Sequence, residues 1–202
     1  MLNIFARASV SRVTDPIGAW LLRLGLTPNT VTVLGTIGTV ASALWFFPRG
    51  QLVAGAVAVT VFVLFDLLDG AMARARGHGT RFGTVLDASC DRIADGALFS
   101  GLVWWAFDTG QRELAVAALI SLVAAQVISY VKARADASGL SADGGLAERA
   151  ERFIIALVGA GLHGLGVPHV LAVALWLLAV LTVATVVQRL IAVRRAAEEA
   201  GE

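Results

Sequence analysis

LVAGAVAVTVFVLFDLLDGAMARARGHGTRFGTVLDASCDRIAD, residues 52–95, decides how this chain folds. It opens on an apolar run, Val53 to Phe65, with Thr60 its one polar residue, and then sets acids where apolar residues would be expected to continue: Asp66 and Asp69, then Asp87, Asp91 and Asp95. A bilayer core of about 30 Å takes about 20 apolar residues per helix, so the stretch reads as two membrane-crossing helices joined by a short polar turn. An acid inside such a helix costs several kcal/mol unless it faces water or a partner, which makes it a functional residue by default. At 3.6 residues per turn, Asp66 and Asp69 lie about 60° apart on one helix, and Asp87 and Asp91 about 40° apart on the next. Two helices joined by a short turn run antiparallel, so four carboxylates are expected to converge at similar depth.

Bare anions at close range in a low dielectric repel strongly, so either protons or cations must sit between them. Carboxylates without His or Cys suit hard, oxygen-loving ions such as Mg²⁺ or Mn²⁺. The histidines, His78, His163 and His169, read as loop residues, and zinc is not expected. Gly70 and Ala73 follow on the face of Asp66, and Gly83 lies one turn before Asp87. Small residues there let a phosphate or a backbone approach closely, although helix packing alone also favours them in membranes.

Read outward with the same window, the chain is expected to be an all-α integral membrane protein of six transmembrane helices. They run over Pro28 to Pro48, Gln51 to Arg76, Arg81 to Phe107, Arg112 to Ala135, Glu148 to Leu165 and Pro168 to Arg195. Pro48-Arg49-Gly50, Gly77-His78-Gly79, Asp108-Thr109-Gly110 and Gly166-Val167-Pro168 punctuate them, and Ser138 to Ala147 reads as a longer loop. Residues 1–26 read as a juxtamembrane amphipathic helix. Val13, Ile17, Trp20, Leu21 and Leu24 recur at helical spacing, Arg7, Arg12 and Arg23 interrupt any secretory signal, and Asp15-Pro16 supplies a cap with proline behind it.

Composition agrees with lipid as the solvent. Of the 202 residues 57% are hydrophobic and 15% charged, with a mean hydropathy of +0.78; a soluble domain is nearer half apolar and a quarter charged. A net charge of +1 shows none of the strong Lys and Arg excess that a nucleic-acid binder should carry, so no nucleic acid is expected, and the lone Cys90 excludes an internal disulfide. Arg7, Arg12, Arg23, Arg74, Arg76, Arg81, Lys132, Arg134, Arg149, Arg152, Arg189, Arg194 and Arg195 fall on one side if the spans alternate, against Arg49 and Arg112 on the other. The positive-inside rule then puts both termini and the acids at the cytoplasmic face of the cell membrane.

Taken together, Asp66-x2-Asp69-Gly70-x2-Ala73-Arg74-x8-Gly83-x3-Asp87-x3-Asp91 resembles the signature of the CDP-alcohol phosphotransferase family at every fixed position. Gly25-Leu26-Thr27-Pro28, Thr80-Arg81-Phe82-Gly83, Ser129-Tyr130-Val131-Lys132-Ala133-Arg134 and Val187-Gln188-Arg189-Leu190 extend the likeness over nearly the whole length, as one membrane domain spanning 1–202. The resemblance implies a six-helix fold, a homodimer and a polar cavity open to the cytoplasm. It implies two Mg²⁺ ions (or Mn²⁺) held by Asp66, Asp69, Asp87 and Asp91, with Asp91 also the general base. It places CDP-diacylglycerol against Gly70, Arg74 and Thr80, with Asn29, Thr30, Val31 and Thr32 closing over it. The last group has an independent reason, because Thr27-Pro28 starts a helix whose free N–H groups favour an anion.

The implied reaction moves the phosphatidyl group onto an alcohol and releases CMP; Cys90 has no base beside it and no covalent intermediate is expected. Lys132, Arg149, Arg152 and Arg189 come from three spans near the cytoplasmic end, a set suited to a phosphorylated acceptor, although such cations can also anchor to lipid headgroups. With the resemblance, this points to a phosphorylated inositol, 1D-myo-inositol 3-phosphate, giving phosphatidylinositol phosphate. Asp95 can serve either function or helix pairing. The nearest alternative acceptor is glycerol 3-phosphate, as in a phosphatidylglycerophosphate synthase. From another class, a cation channel or proton-coupled transporter would spread its acids along a path rather than cluster them.

Overall fold

The computed structural model describes residues 14–77, 79–142 and 144–201, and all side chains within them except that of Asp66. The described residues hold helices and no strand. Residues 14–23 form α1. Then follow α2 (Pro28–Phe46), α3 (Leu52–Val63), α4 (Phe65–Ala75), α5 (Arg81–Asp108), α6 (Arg112–Ala137), α7 (Arg149–Gly164) and α8 (Val170–Glu199). Residues 1–13 of the expected surface helix, and His78, lie outside the described part.

Among the described residues, four segments are long and apolar enough to cross a bilayer: Pro28–Phe46, Leu52–Ala75, Arg112–Ala137 and Val170–Glu199. The second joins α3 and α4. Leu64 between them keeps right-handed helical dihedrals (φ −66°, ψ −18°), and the Leu67 amide reaches back three residues to its carbonyl at 3.1 Å, a local tightening rather than a break. Large apolar side chains stand exposed throughout, among them Val57, Trp104, Ile154, Val173 and Val180. In water so much contiguous apolar surface would aggregate; in lipid it is the solvated face.

The chain divides into two compact units. The first comprises residues 1–42 and 58–94. Within it, glycines allow close helix approach: a methyl on Gly35 would lie 2.8 Å from Phe65 Cβ, and one on Gly38 2.1 Å from the Phe62 ring. On α1, a methyl on Gly18 would meet the Met72 amide at 3.1 Å, so that helix rests directly on the α4 backbone. Ile17, Trp20 and Leu24 face outward from it. The helical conformation already includes Thr14, so Asp15 is not the cap the sequence suggested; its carboxylate goes to Arg74 instead.

The second unit comprises residues 43–57 and 95–202. Phe47, Leu98, Phe99, Leu102, Ile128, Leu171, Leu175 and Leu178 form its core. Gly159 lets α7 and α8 touch, since a methyl there would lie 2.6 Å from Ala174 Cβ. Buried hydroxyls return their protons to the preceding turn, Ser121 to the Ala117 carbonyl (2.9 Å) and Thr182 to that of Leu178 (2.7 Å). His163, expected in a loop, lies within the last turn of α7, its ring edge-on to Trp105 at 5.4 Å.

Candidate active site

Two helix starts frame the site in the first unit. The Thr27 hydroxyl accepts the Thr30 amide at 3.2 Å and so caps α2; the Thr80 hydroxyl accepts the Gly83 amide at 2.9 Å and caps α5. Both caps line one cavity of about 370 Å³, together with Pro28, Asn29, Thr32, Asp69, Gly70, Ala73, Gly83 and Asp87. Helix N-termini carry unpaired N–H groups and the positive end of the helix dipole, so two at one cavity make it receptive to phosphate.

Asp69 is buried in the wall, and the Thr32 hydroxyl donates a hydrogen bond to its carboxylate. Asp87 lines the same cavity from α5. Gly70 leaves the floor open: a methyl there would find within contact range only Arg74 Nη1, at 3.5 Å. Gly83 is tight, because its methyl would lie 3.0 Å from Thr80 Oγ1 and 3.2 Å from Asn29 Oδ1. Arg74 Nη2 meets Asp15 Oδ1 at 3.1 Å on the exposed surface, an ion pair between α4 and α1.

The structure thus brings together Asn29, Thr32, Asp69, Gly70, Thr80 and Asp87. Val31 is core, and Thr30 is an exposed residue of the first turn of α2. Asp66 is on α4 and its side chain is outside the described part. Asp91, half-buried one turn beyond Asp87, has Arg92 Nη2 at 3.7 Å. Among the described residues no three acids stand close enough to hold one ion. The donors present still fit a hard divalent cation: a buried carboxylate oriented by a hydroxyl, and a second one on the same cavity, all oxygen. Arg76 also lines the cavity. By sequence it counts only among the orienting charges, although it stands between the two halves of the acidic motif.

The expected acceptor cations belong to the second unit. Arg152 is 1% exposed; its Nη2 donates to Asp95 Oδ2 at 2.7 Å and its Nη1 to the Ala147 carbonyl at 3.0 Å. Arg149 Nε stands 3.7 Å from the other Asp95 oxygen, with its guanidinium 5.2 Å over the Phe153 ring. Arg189 donates to the carbonyls of Gly144 (3.1 Å) and Ile128 (2.9 Å). Lys132 is exposed one turn after Ile128. Asp95, ambiguous in the sequence, is therefore the buried counter-charge of two arginines.

An apolar helical chain with a phosphate-receptive cavity, acids in its walls and glycine at its floor is a membrane protein built to handle a phosphate ester. It belongs to the CDP-alcohol phosphatidyltransferase family, whose sequence pattern matches residues 25–188. The chain is 60% identical over 193 residues to the phosphatidylinositol phosphate synthase of Mycobacterium tuberculosis, a match covering 94% of this chain and 89% of that protein. It is 48% identical over 194 residues to that of Corynebacterium glutamicum, covering 95% and 88%. The crystal structure of the M. tuberculosis enzyme with CDP-DAG bound is similar with a TM-score of 0.87, at 61% identity, covering 90% of this chain and 94% of that one.

Proposed function

We propose that this chain transfers the phosphatidyl group of CDP-diacylglycerol to 1D-myo-inositol 3-phosphate, releasing CMP. The observation that carries it is the cavity that holds the family's motif residues Asp69, Gly70, Gly83 and Asp87 between two capped helix starts. Likeness to phosphatidylinositol phosphate synthases over nearly the whole chain supports the acceptor.

In this reading Asp66, Asp69, Asp87 and Asp91 hold two divalent ions, Mg²⁺ or Mn²⁺; when bound, such a pair offsets the charge of the diphosphate oxygens and of the departing CMP. Asn29 and Thr80 contact the nucleotide, and the N–H groups of the two helix starts receive the phosphates. Arg74 exchanges Asp15 for the diphosphate. Asp91 takes the proton of the attacking hydroxyl, a role that requires it within about 3 Å of that oxygen. Lys132, Arg149, Arg152 and Arg189 bind the acceptor phosphate, with Asp95 holding two of them in place.

The proposal extends to topology. The 28-residue α5 and the 16-residue α7 add to the four apolar segments to give six spans, at about 42 Å and about 24 Å of helix. The chain lies in the cell membrane with both termini and the cavity cytoplasmic and α1 in the headgroup layer, and it works as a homodimer.

CMP release from CDP-diacylglycerol by the purified protein in lipid nanodiscs tests the reaction. Release is expected with inositol phosphate and Mg²⁺, and not with glycerol 3-phosphate; the reverse pattern would overturn the acceptor. Asp91→Asn should lower turnover by about 10²–10⁴-fold while the protein still folds. Normal turnover would remove Asp91 as the base.

A further inference from the structure

We infer that Thr185 is a positioning residue for the acceptor site, acting as a latch that fixes the loop before α7 and, through it, the two buried arginines. This rests on the proposed use of Arg152 and Arg189 for the acceptor phosphate. The Thr185 side chain is wholly buried on α8. Its hydroxyl donates to the Leu181 carbonyl at 2.8 Å and accepts two consecutive amides of the loop, Leu146 N–H at 3.1 Å and Ala147 N–H at 3.0 Å. Its one donor and its acceptor capacity are thus fully used.

The same short loop presents the carbonyls that hold the arginines. Ala147, whose amide the latch takes, gives its carbonyl to Arg152 Nη1 at 3.0 Å. Gly144 gives its carbonyl to Arg189 Nε at 3.1 Å. Between them Gly145, at φ 142°, runs so close to α8 that a methyl on it would lie 2.5 Å from Thr185 Cγ2. The loop has no regular secondary structure to hold its register, so one hydroxyl sets where both carbonyls stand.

Asp95 holds Arg152 and the Ile128 carbonyl holds Arg189 on one edge only, and the loop carbonyls fix a second edge of each guanidinium. With Asp95 on one edge and Ala147 on the other, Arg152 is held as a rigid fork, and a preorganised fork loses less entropy when it binds phosphate. A phosphate-bearing acceptor should feel the loss of the latch. CDP-diacylglycerol, bound in the other unit, should not.

Thr185→Val keeps the branched shape and removes the hydroxyl; Thr185→Ser keeps the hydroxyl. Thr185→Val is expected to raise KM for inositol phosphate about tenfold, with KM for CDP-diacylglycerol and kcat changed less than about twofold, and Thr185→Ser to stay near wild type. Hydrogen exchange by mass spectrometry on the full-length protein in nanodiscs, without substrate, should show the 144–147 segment exchanging faster in Thr185→Val and unchanged in Thr185→Ser. An unchanged exchange rate in Thr185→Val, or equal losses for both substrates, would overturn the latch. Lys132→Ala separates the two ideas. If it raises KM for inositol phosphate and Thr185→Val does not, positioning alone is wrong; if neither moves it, the acceptor reading falls and the inference falls with it.

Discussion

Thr32 fixes the direction of a buried carboxylate. Asp69 is buried, and a buried carboxylate without a fixed donor can rotate away from whatever it should bind; the Thr32 hydroxyl removes that freedom. The hydroxyl reaches across from α2 to α4, so its effect should appear as metal demand rather than as folding. After chelation and readdition of Mg²⁺, Thr32→Val is expected to need about 10–100-fold more ion for half-maximal CMP release. Thr32→Ser should stay close to wild type, and an unchanged Mg²⁺ requirement in the valine variant would remove the orienting role. Asp69, Asp87, Gly70 and Gly83 were legible from the sequence because their chemistry is written in residue type and spacing along adjoining helices. Thr32 was expected at the nucleotide, and its partnership with Asp69 was not legible, because a hydroxyl's choice of partner is made by tertiary contact. The same holds for Asp95 and Arg152, whose pairing joins residues 57 positions apart.

Glycine does two different jobs on these helices, and one substitution tells them apart. Gly38 on α2 is filled against by the Phe62 ring, 2.1 Å from where a methyl would stand. Alanine there must push an aromatic ring out of a helix contact, an overpacking that costs about 1–3 kcal/mol. Gly38→Ala should therefore lower the unfolding temperature in detergent by several degrees, at about 2–4 °C per kcal/mol. Gly70 on α4 would instead meet only the mobile end of Arg74, at an ordinary contact distance of 3.5 Å. Gly70→Ala should melt no lower than wild type, since alanine favours a helix over glycine by about 0.5–1 kcal/mol, yet it should bind CDP-diacylglycerol more weakly because the methyl occupies the cavity floor. Equal melting temperatures for the two variants would refute the distinction. Helix ends were readable in advance wherever glycine supplied positive φ: Gly77 at 85° closes α4 and Gly110 at 73° follows α5. The local tightening at Leu64 and the pairing of Asp15 with Arg74 were not: Leu64 carries no turn signal, and the cap signal of Asp15-Pro16 gives way to a tertiary ion pair.

At the scale of the whole molecule, the charges that orient a membrane chain must be those that reach water, and the structure changes which ones count. Arg152 and Arg189 are buried and bonded to carbonyls, with Asp95 beside Arg152. They belong to the interior and should be struck from the positive-inside sum, which concerns loop charges near the span ends. Arg74, Arg76, Lys132, Arg134 and Arg194 remain exposed. Arg49 lies 3.7 Å over the Trp45 ring and donates to the Trp45 carbonyl at 2.8 Å, so its charge closes the end of α2. In the proposed six-span topology the bias survives the subtraction. Single cysteines at the exposed positions Gln51, Thr109 and Ser138 read it directly, in a Cys90→Ser background that removes the one native thiol. With intact cells, a membrane-impermeant maleimide should label Gln51→Cys and Thr109→Cys. Ser138→Cys should react only in inverted vesicles. Labelling of Ser138→Cys from outside would overturn the proposed cytoplasmic side of the loop after α6.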